Sequence, residues 1–431
     1  MKKIIGTGLL SLLVISACTV QNPDRLVNTN NVERIIRTLS ADDMQGRATF
    51  TPGIEKAADF IANEFKEIGL KPLTDTGNFR QEFTMTRIKP DVQEVSINGS
   101  KVAAGSVLTI TENASVNWTE GSGIEVLNVK AGESFFDRYR AVIREDKSVL
   151  VLVDASHADA FKRLYEFSTR GKIVDEAREG SAKVFVLGSN EAATFSVKVT
   201  NTIEKLGLAN VAGMLPGKSR EKELVVFSGH YDHMGIVKGQ ADTIANGADD
   251  DASGITAVIS LAKYYKKLNS NERTLIFVAF TAEEIGGFGS RYFSEQLNPD
   301  DVVAMFNIEM IGKESKFGKN AAFITGFDKS DFGEILQRNL TGTAFTFHPD
   351  PYPKQNLFYR SDNATLAALG VPAHTISTDQ IDTDKFYHTV GDEFSTLDVN
   401  NITATIKAIA LSSRSIVEGK DSPKRIPKLE K

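Results

Sequence analysis

Six residues in five short stretches are of types that hold or serve a metal: His230 in GHYDH, Asp250 in GADDDASG, Glu283 and Glu284 in FTAEE, Glu309 in FNIEM, and His388 in FYHT. Imidazole and carboxylate donors suit zinc and its neighbours, and a catalytic site leaves one position open for water. A bridging carboxylate can hold two metals roughly 3.5 to 4 Å apart, a geometry that activates water and stabilises the oxyanion it forms. Asp250 is the natural bridge, with small residues around it and a helix expected immediately after. Asp232 stands two residues beyond His230, placed to accept the second imidazole N–H; His233 is the less favoured ligand. Two adjacent carboxylates at a strand end, Glu283 and Glu284, call for a cation; one could ligate while the other takes a proton from water. Singly these pieces are ordinary. An Asp run before a helix is commonly an N-cap, a Glu pair is usually solvated, and a lone histidine such as His388 is usually structural. Their joint occurrence in this order points to a two-metal hydrolytic site.

The elements that must position them read as alternating strands and helices. Strands are predicted at Leu224 to Ser228, Thr274 to Phe280, Val302 to Ile308, Ala321 to Thr325 and Ala373 to Ser377. Helices are predicted at Ala252 to Leu268, Gly287 to Leu297, Asp331 to Leu340 and Asn401 to Val417, preceded by Asn31 to Leu39 and Ile54 to Ile68. This predicts an α/β fold with a mostly parallel mixed sheet flanked by helices, in which chemistry sits at strand ends. From Asp91 to Glu204 the texture changes to short Val-rich runs among Gly- and Ser-rich turns, predicting an inserted, mostly β domain at 91–204 within a main domain at 24–90 and 205–420.

A chain of 431 residues with 41% apolar content fills a sizeable core. The net charge of −6, with no basic stripe, argues against nucleic acid as a partner. Lys2 and Lys3, an apolar run from Ile4 to Ile15, then Ser16-Ala17-Cys18 read as a signal peptide at 1–17, too short to span a membrane. Its end resembles a bacterial lipobox, which implies lipidation of Cys18, a membrane anchor, and export to the cell envelope on the outer-membrane or periplasmic side. Cys18 is the only cysteine, so neither an internal disulfide nor a thiolate zinc site is expected.

Taken together, the stretches from LSADDMQGRAT (Leu39 to Thr49) through YHTVGDEFSTLD (Tyr387 to Asp398) resemble the di-zinc exopeptidases that include aminopeptidase Y, bacterial leucyl aminopeptidases and glutamate carboxypeptidase. The resemblance implies two Zn2+ ions, one held by His230, Asp250 and Glu309 and the other by Asp250, Glu284 and His388. It further implies Glu283 as general base, a cis Asp250-Asp251 peptide, and Tyr387 steadying the oxyanion. The chain departs from the family pattern at Glu309, where Asp is usual, and at Asn363, where many relatives have His. The second departure leaves the substrate-side role of Tyr359, Arg360 and Asp362 open. The insert lies where many relatives carry a protease-associated domain, joined here at NVAGMLPG (Asn210 to Gly217).

No HExxH helix or GxSxG elbow is present, and the Gly-Lys-Ser at 217–219 lacks the first P-loop glycine. The expected function is a zinc-dependent exopeptidase, foremost an aminopeptidase acting on peptides. A glutaminyl cyclase on the same fold, a carboxypeptidase and a receptor-like homologue without catalysis are the alternatives. Neither oligomeric state nor residue preference is legible in the sequence.

Overall fold

A computed structural model describes residues 23–74, 77–239 and 241–429. The signal segment and Cys18 lie outside the described residues. The chain forms two compact units, one of residues up to 81 and from 210 onward, the other of residues 82–209. These divisions fall outside the 91 and 204 expected from texture, because the long strands Arg80–Ile97 and Phe195–Leu215 run through both points without interruption.

In the first unit the strand Phe195–Leu215 (β1) contributes its C-terminal end to a sheet with Arg220–His230 (β2), Arg273–Phe280 (β3), Val302–Ile308 (β4), Ala321–Ile324 (β5), Thr346–Pro349 (β6) and Ala373–Ser377 (β7). Their order across the sheet is β6-β5-β7-β4-β2-β3-β1. β2 pairs parallel with both β3 and β4, β4 with β7, and β5 with β6; β1 to β3 and β5 to β7 are antiparallel. The chain leaves β2 to one side to form β3, then crosses to the other side to form β4. Such a reversal opens a crevice beyond the C-terminal ends of the strands.

Both faces of the sheet are covered, which explains the nearly unbroken apolar run TLIFVAF in β3, buried from end to end. On one face Phe227 stacks between Phe277 (5.4 Å) and Phe306 (4.8 Å). That face packs against Thr29–Leu39 (α1), Pro52–Ile68 (α2), Gly254–Leu268 (α3), Phe332–Asn339 (α5) and Val399–Ser412 (α7). The alternate residues Val226, Ile276 and Met305 meet Phe288–Glu295 (α4) and Asn363–Ala368 (α6) through Phe293 and Leu366. Asp398 caps α7 by accepting from the N–H groups of Asn400 and Asn401. Gly69 ends α2 with φ 80°, a left-handed conformation that glycine adopts without strain. The predicted helix at 401–417 is in fact α7 followed by a separate turn, Arg414–Val417. β6 and α6 had no sequence prediction; four and six residues are too few for a periodic signal.

The second unit is rich in strands, as expected, and adds two helices that the sequence did not signal. Glu125–Val129, Val149–Val153 and Lys183–Leu187 are parallel neighbours. The helices Phe135–Arg144 and Ala158–Ser168 connect them in turn, and Val107–Ile110 closes the far edge antiparallel. Val149, Val151 and Val153 face the helices through Phe135 and Phe161, whereas Leu150 and Leu152 face Val95, Ile97 and Val116. Each helix buries only one or two residues, so its amphipathic signal is thin. Among the described residues no helix is long and apolar enough to cross a membrane.

Candidate metal centre

His230 is the last residue of β2, Glu283 and Glu284 follow β3 by three and four residues, and Glu309 directly follows β4. Three neighbouring strands thus deliver their chemistry to the one crevice that the strand order opens. The backbone turns sharply to do so: Ala282 and Met310, each beside a carboxylate, have φ of 61° and 50°, and His388 has 54°. Non-glycine residues rarely occupy this region, and such strain concentrates at functional sites.

Asp250 comes from the loop before α3, where the Asp250-Asp251 peptide is cis. His230 Nε2 lies 3.2 Å from Asp250 Oδ1, and His388 Nε2 lies 3.3 Å from Asp250 Oδ2 and 3.1 Å from Glu284 Oε2. Donor atoms of His230, Asp250 and Glu309 all fall within 4.8 Å of one another. A second such group comprises His233, Asp250 and Glu284, with His233 Nδ1 2.8 Å from Glu284 Oε1. His233, disfavoured on sequence, therefore sits beside the same carboxylates as His388. Only His388 is substantially exposed, with 40% of its side chain accessible.

The donor set fits a cation. Buried His230 Nε2, His233 Nε2 and Glu309 Oε2 have no hydrogen-bond partner, and orphaned buried polar atoms call for an explanation. His230 Nδ1 donates to the Asp232 backbone carbonyl at 3.1 Å, which turns Nε2 towards Asp250. Charge tells the same story. Burial pushes Glu283 well above the usual carboxylate range; the Glu309 and Asp362 charges add to the shift and His230 opposes it. Hydrogen bonds to Asp250 and Glu284 push His388 up to about 10 against the effect of burial. Crowded carboxylates that hold on to protons are groups a divalent ion would relieve.

The relay expected from Asp232 needs correction. Its carboxylate lies 3.9 Å from His230 Nδ1, too far for a hydrogen bond, because the backbone carbonyl takes that role. The carboxylate instead accepts the backbone N–H of Glu283 (3.1 Å) and of Glu284 (3.2 Å). It therefore fixes the turn that aims both glutamates. Tyr387 lines the cleft with its ring stacked on His388, centroids 3.9 Å apart.

Three supporting residues had no predicted role. Asp251 accepts from the N–H groups of His230, Gly254 and Met310, tying β2, α3 and the end of β4 together. A Cβ at Gly254 would stand 2.1 Å from the Ile308 carbonyl, so glycine is required at that crossing. Asp392 accepts from the N–H groups of Asp249 and Asp250. Arg47, fully buried, donates to the carbonyls of Leu39, Tyr231, Asn246 and Gly247 and so joins the loops carrying His230 and Asp250. Asn363 faces away from the cleft: its amide donates to the Phe358 and Ala373 carbonyls and accepts from Thr375. Arg360 and Ser361 line the cleft. Asp362 is buried, and burial raises it to about 7.

Residues 210–412 match the family model described as Peptidase family M28. A "Probable zinc metalloprotease" of Pyrenophora teres f. teres is 27% identical over 164 residues, 35% of this chain and 33% of that protein. A "Vacuolar membrane protease" of Schizosaccharomyces pombe is 29% identical over 123 residues, 28% of this chain and 14% of that protein. The chain thus spans a third or less of these curated relatives. Among solved structures, an aminopeptidase from Aneurinibacillus sp. strain AM-1 aligns over 94% of this chain and 96% of its own, with TM-score 0.56 and 20% identity. A zinc aminopeptidase from Bacillus subtilis covers 94% and 99%, with TM-score 0.54 and 16% identity. At these identities the likeness is one of fold.

Proposed function

We propose that this chain, whose residues 210–412 match the model of Peptidase family M28, is a two-zinc aminopeptidase of that family. The observation that carries the reading is the set of buried, unpartnered donor atoms of His230 and Glu309 beside Asp250, with Glu284 and His388 on the other side of the same aspartate. In this reading His230, Asp250 and Glu309 hold one ion and Asp250, Glu284 and His388 the other. Zinc, when bound, supplies Lewis acidity to a water and to the scissile carbonyl. Glu283, held by Asp232 through its backbone, takes the proton of the attacking water and returns it to the leaving amine. The Tyr387 hydroxyl donates to the oxyanion.

The cleft favours a free amine over a free carboxylate. It is lined by Asp250, Glu283, Glu309 and Asp379, with Arg360 as its lone arginine or lysine. The aminopeptidase names of the fold neighbours support this choice, and the zinc metalloprotease relatives support the metal and the hydrolysis. We extend the reading to an envelope lipoprotein anchored at Cys18, with the 82–209 unit as a protease-associated-like insert; metabolic acyl labelling lost in C18S tests the anchor. The reaction is tested on a peptide panel with free and blocked ends at defined zinc content. Stepwise loss of N-terminal residues, abolished by N-acetylation, is expected. Release from the C-terminus of an acetylated peptide overturns the aminopeptidase assignment, and loss of ammonia from an N-terminal glutamine peptide turns it into a cyclase.

A further inference from the structure

The metal-ligand cluster opens into a cleft whose remaining walls are unlike one another. Met310, Phe323, Leu357 and Ile381 provide an apolar lining. Against them stands Asp379, two residues past the end of β7, only 4% exposed. Its backbone N–H donates to Ser377 Oγ and its carboxyl shares a hydrogen bond with the Asp384 carboxyl group, while its buried Oδ1 has no hydrogen-bond partner. A buried carboxylate oxygen without a donor is costly, and its partner must come from elsewhere.

Its surroundings specify the sign of that partner. Asp379, Asp249 and Asp384 gather around one ammonium, Lys313, which lies 3.1 Å from Asp249 and 2.7 Å from Asp384. Burial first, then the charges of Asp249 and Asp384, raise the Asp379 carboxyl to about 8, with Lys313 too heavily shared to prevent it. Three acidic groups thus share one ammonium at this wall. Arg360, which lines the cleft, is exposed to solvent.

We propose that Asp379 selects substrates whose N-terminal side chain is basic, lysine or arginine: the aliphatic stem lies along Met310, Phe323, Leu357 and Ile381, and the cationic end meets the unpartnered Asp379 oxygen in the same cleft. The proposal rests on the aminopeptidase reading for the identity of the bound end. A buried polar group left without its partner discriminates strongly against a ligand that lacks the matching charge.

The test uses the zinc-loaded protein and two amino acids that differ at the side-chain end, L-lysine and L-norleucine. Calorimetry should give lysine at least about tenfold tighter binding, with the ratio collapsing in Asp379→Asn and surviving in Asp379→Glu. Parallel kcat/KM values for lysyl and leucyl p-nitroanilides should follow the same ratio. Equal binding of lysine and norleucine by the wild type overturns the proposal whether or not any variant folds. A preference for lysine that persists in a folded Asp379→Asn protein overturns it as well. Lysine selectivity that depends on Asp379, without turnover of either anilide, upholds the pocket assignment and brings down the aminopeptidase reading alone.

Discussion

Glu283 and Glu284 are adjacent in sequence, half-buried just past the same strand end and aimed by the same aspartate, yet their environments differ. Glu284 meets His233 and His388, which with His230 draw its pKa down against the effect of burial and the charge of Asp250. Glu283 is raised instead, chiefly by burial, and lines the cleft where substrate enters. One is suited to remain a charged ligand and the other to exchange a proton, and environments that drive neighbouring carboxyl groups to opposite shifts mark acid-base assignments. Changing Glu283 to Gln keeps the shape and the Asp232 contacts, which run to its backbone. Turnover should therefore fall by roughly three orders of magnitude, with zinc content by elemental analysis unchanged. Full activity in this variant, or loss of zinc with it, would show that Glu283 is not the base.

At the scale of elements, the three strands that carry the site were legible because a buried parallel strand leaves an apolar run that ends abruptly in charge, as at LIFVAF before TAEE. What holds those ends was not. Arg47 and Asp392 act on loops about 200 and 140 residues away, and such contacts leave no spacing to read. The relay from Asp232 was misplaced for a related reason: sequence gives the distance in residues but not which oxygen of a residue faces the ring. The helices of the 82–209 unit escaped because each buries so little. The C-terminal side of the sheet makes a further prediction. His374 on β7 is fully buried and stacked on Phe332, donates from Nδ1 to the Thr325 carbonyl and accepts from Ser330 Oγ. Burial depresses it from 6.5 to about 4. The unfolded chain therefore binds more protons than the folded one below pH 6.5, so this histidine's effect is absent above that pH and destabilises the fold as pH falls towards 4, by about 3 kcal/mol in full. Urea midpoints between pH 7 and 4.5 should fall more steeply in the wild type than in His374→Gln. Parallel pH slopes would mean that His374 does not titrate between folded and unfolded states.

The whole molecule answers to the metal through the first unit alone, since every proposed ligand belongs to it. Without a cation the carboxyl groups of Asp251, Glu283 and Glu309 are forced upward by burial while His230 is pulled up by the acids around it, an arrangement in which the folded state carries unrelieved repulsion. A ligand that binds the native state only adds about 2.7 kcal/mol per site at a hundredfold excess over its dissociation constant. For a unit of about 300 residues, spread over an unfolding entropy near 0.6 kcal/mol per degree, that is roughly 4 °C per ion. Calorimetry of the chelated protein titrated with zinc should move the transition of this unit by about 8 °C for two ions. Glu309→Ala, which removes a donor from one set only, should halve the shift. The 82–209 unit has its own two apolar clusters and no proposed ligand, so any separate transition it shows should stay in place. A melting curve indifferent to zinc would remove the metal centre altogether, whereas a full two-ion shift in Glu309→Ala would exclude that residue and transfer its place to one of the neighbouring carboxylates, Asp251 or Asp362, that face His230.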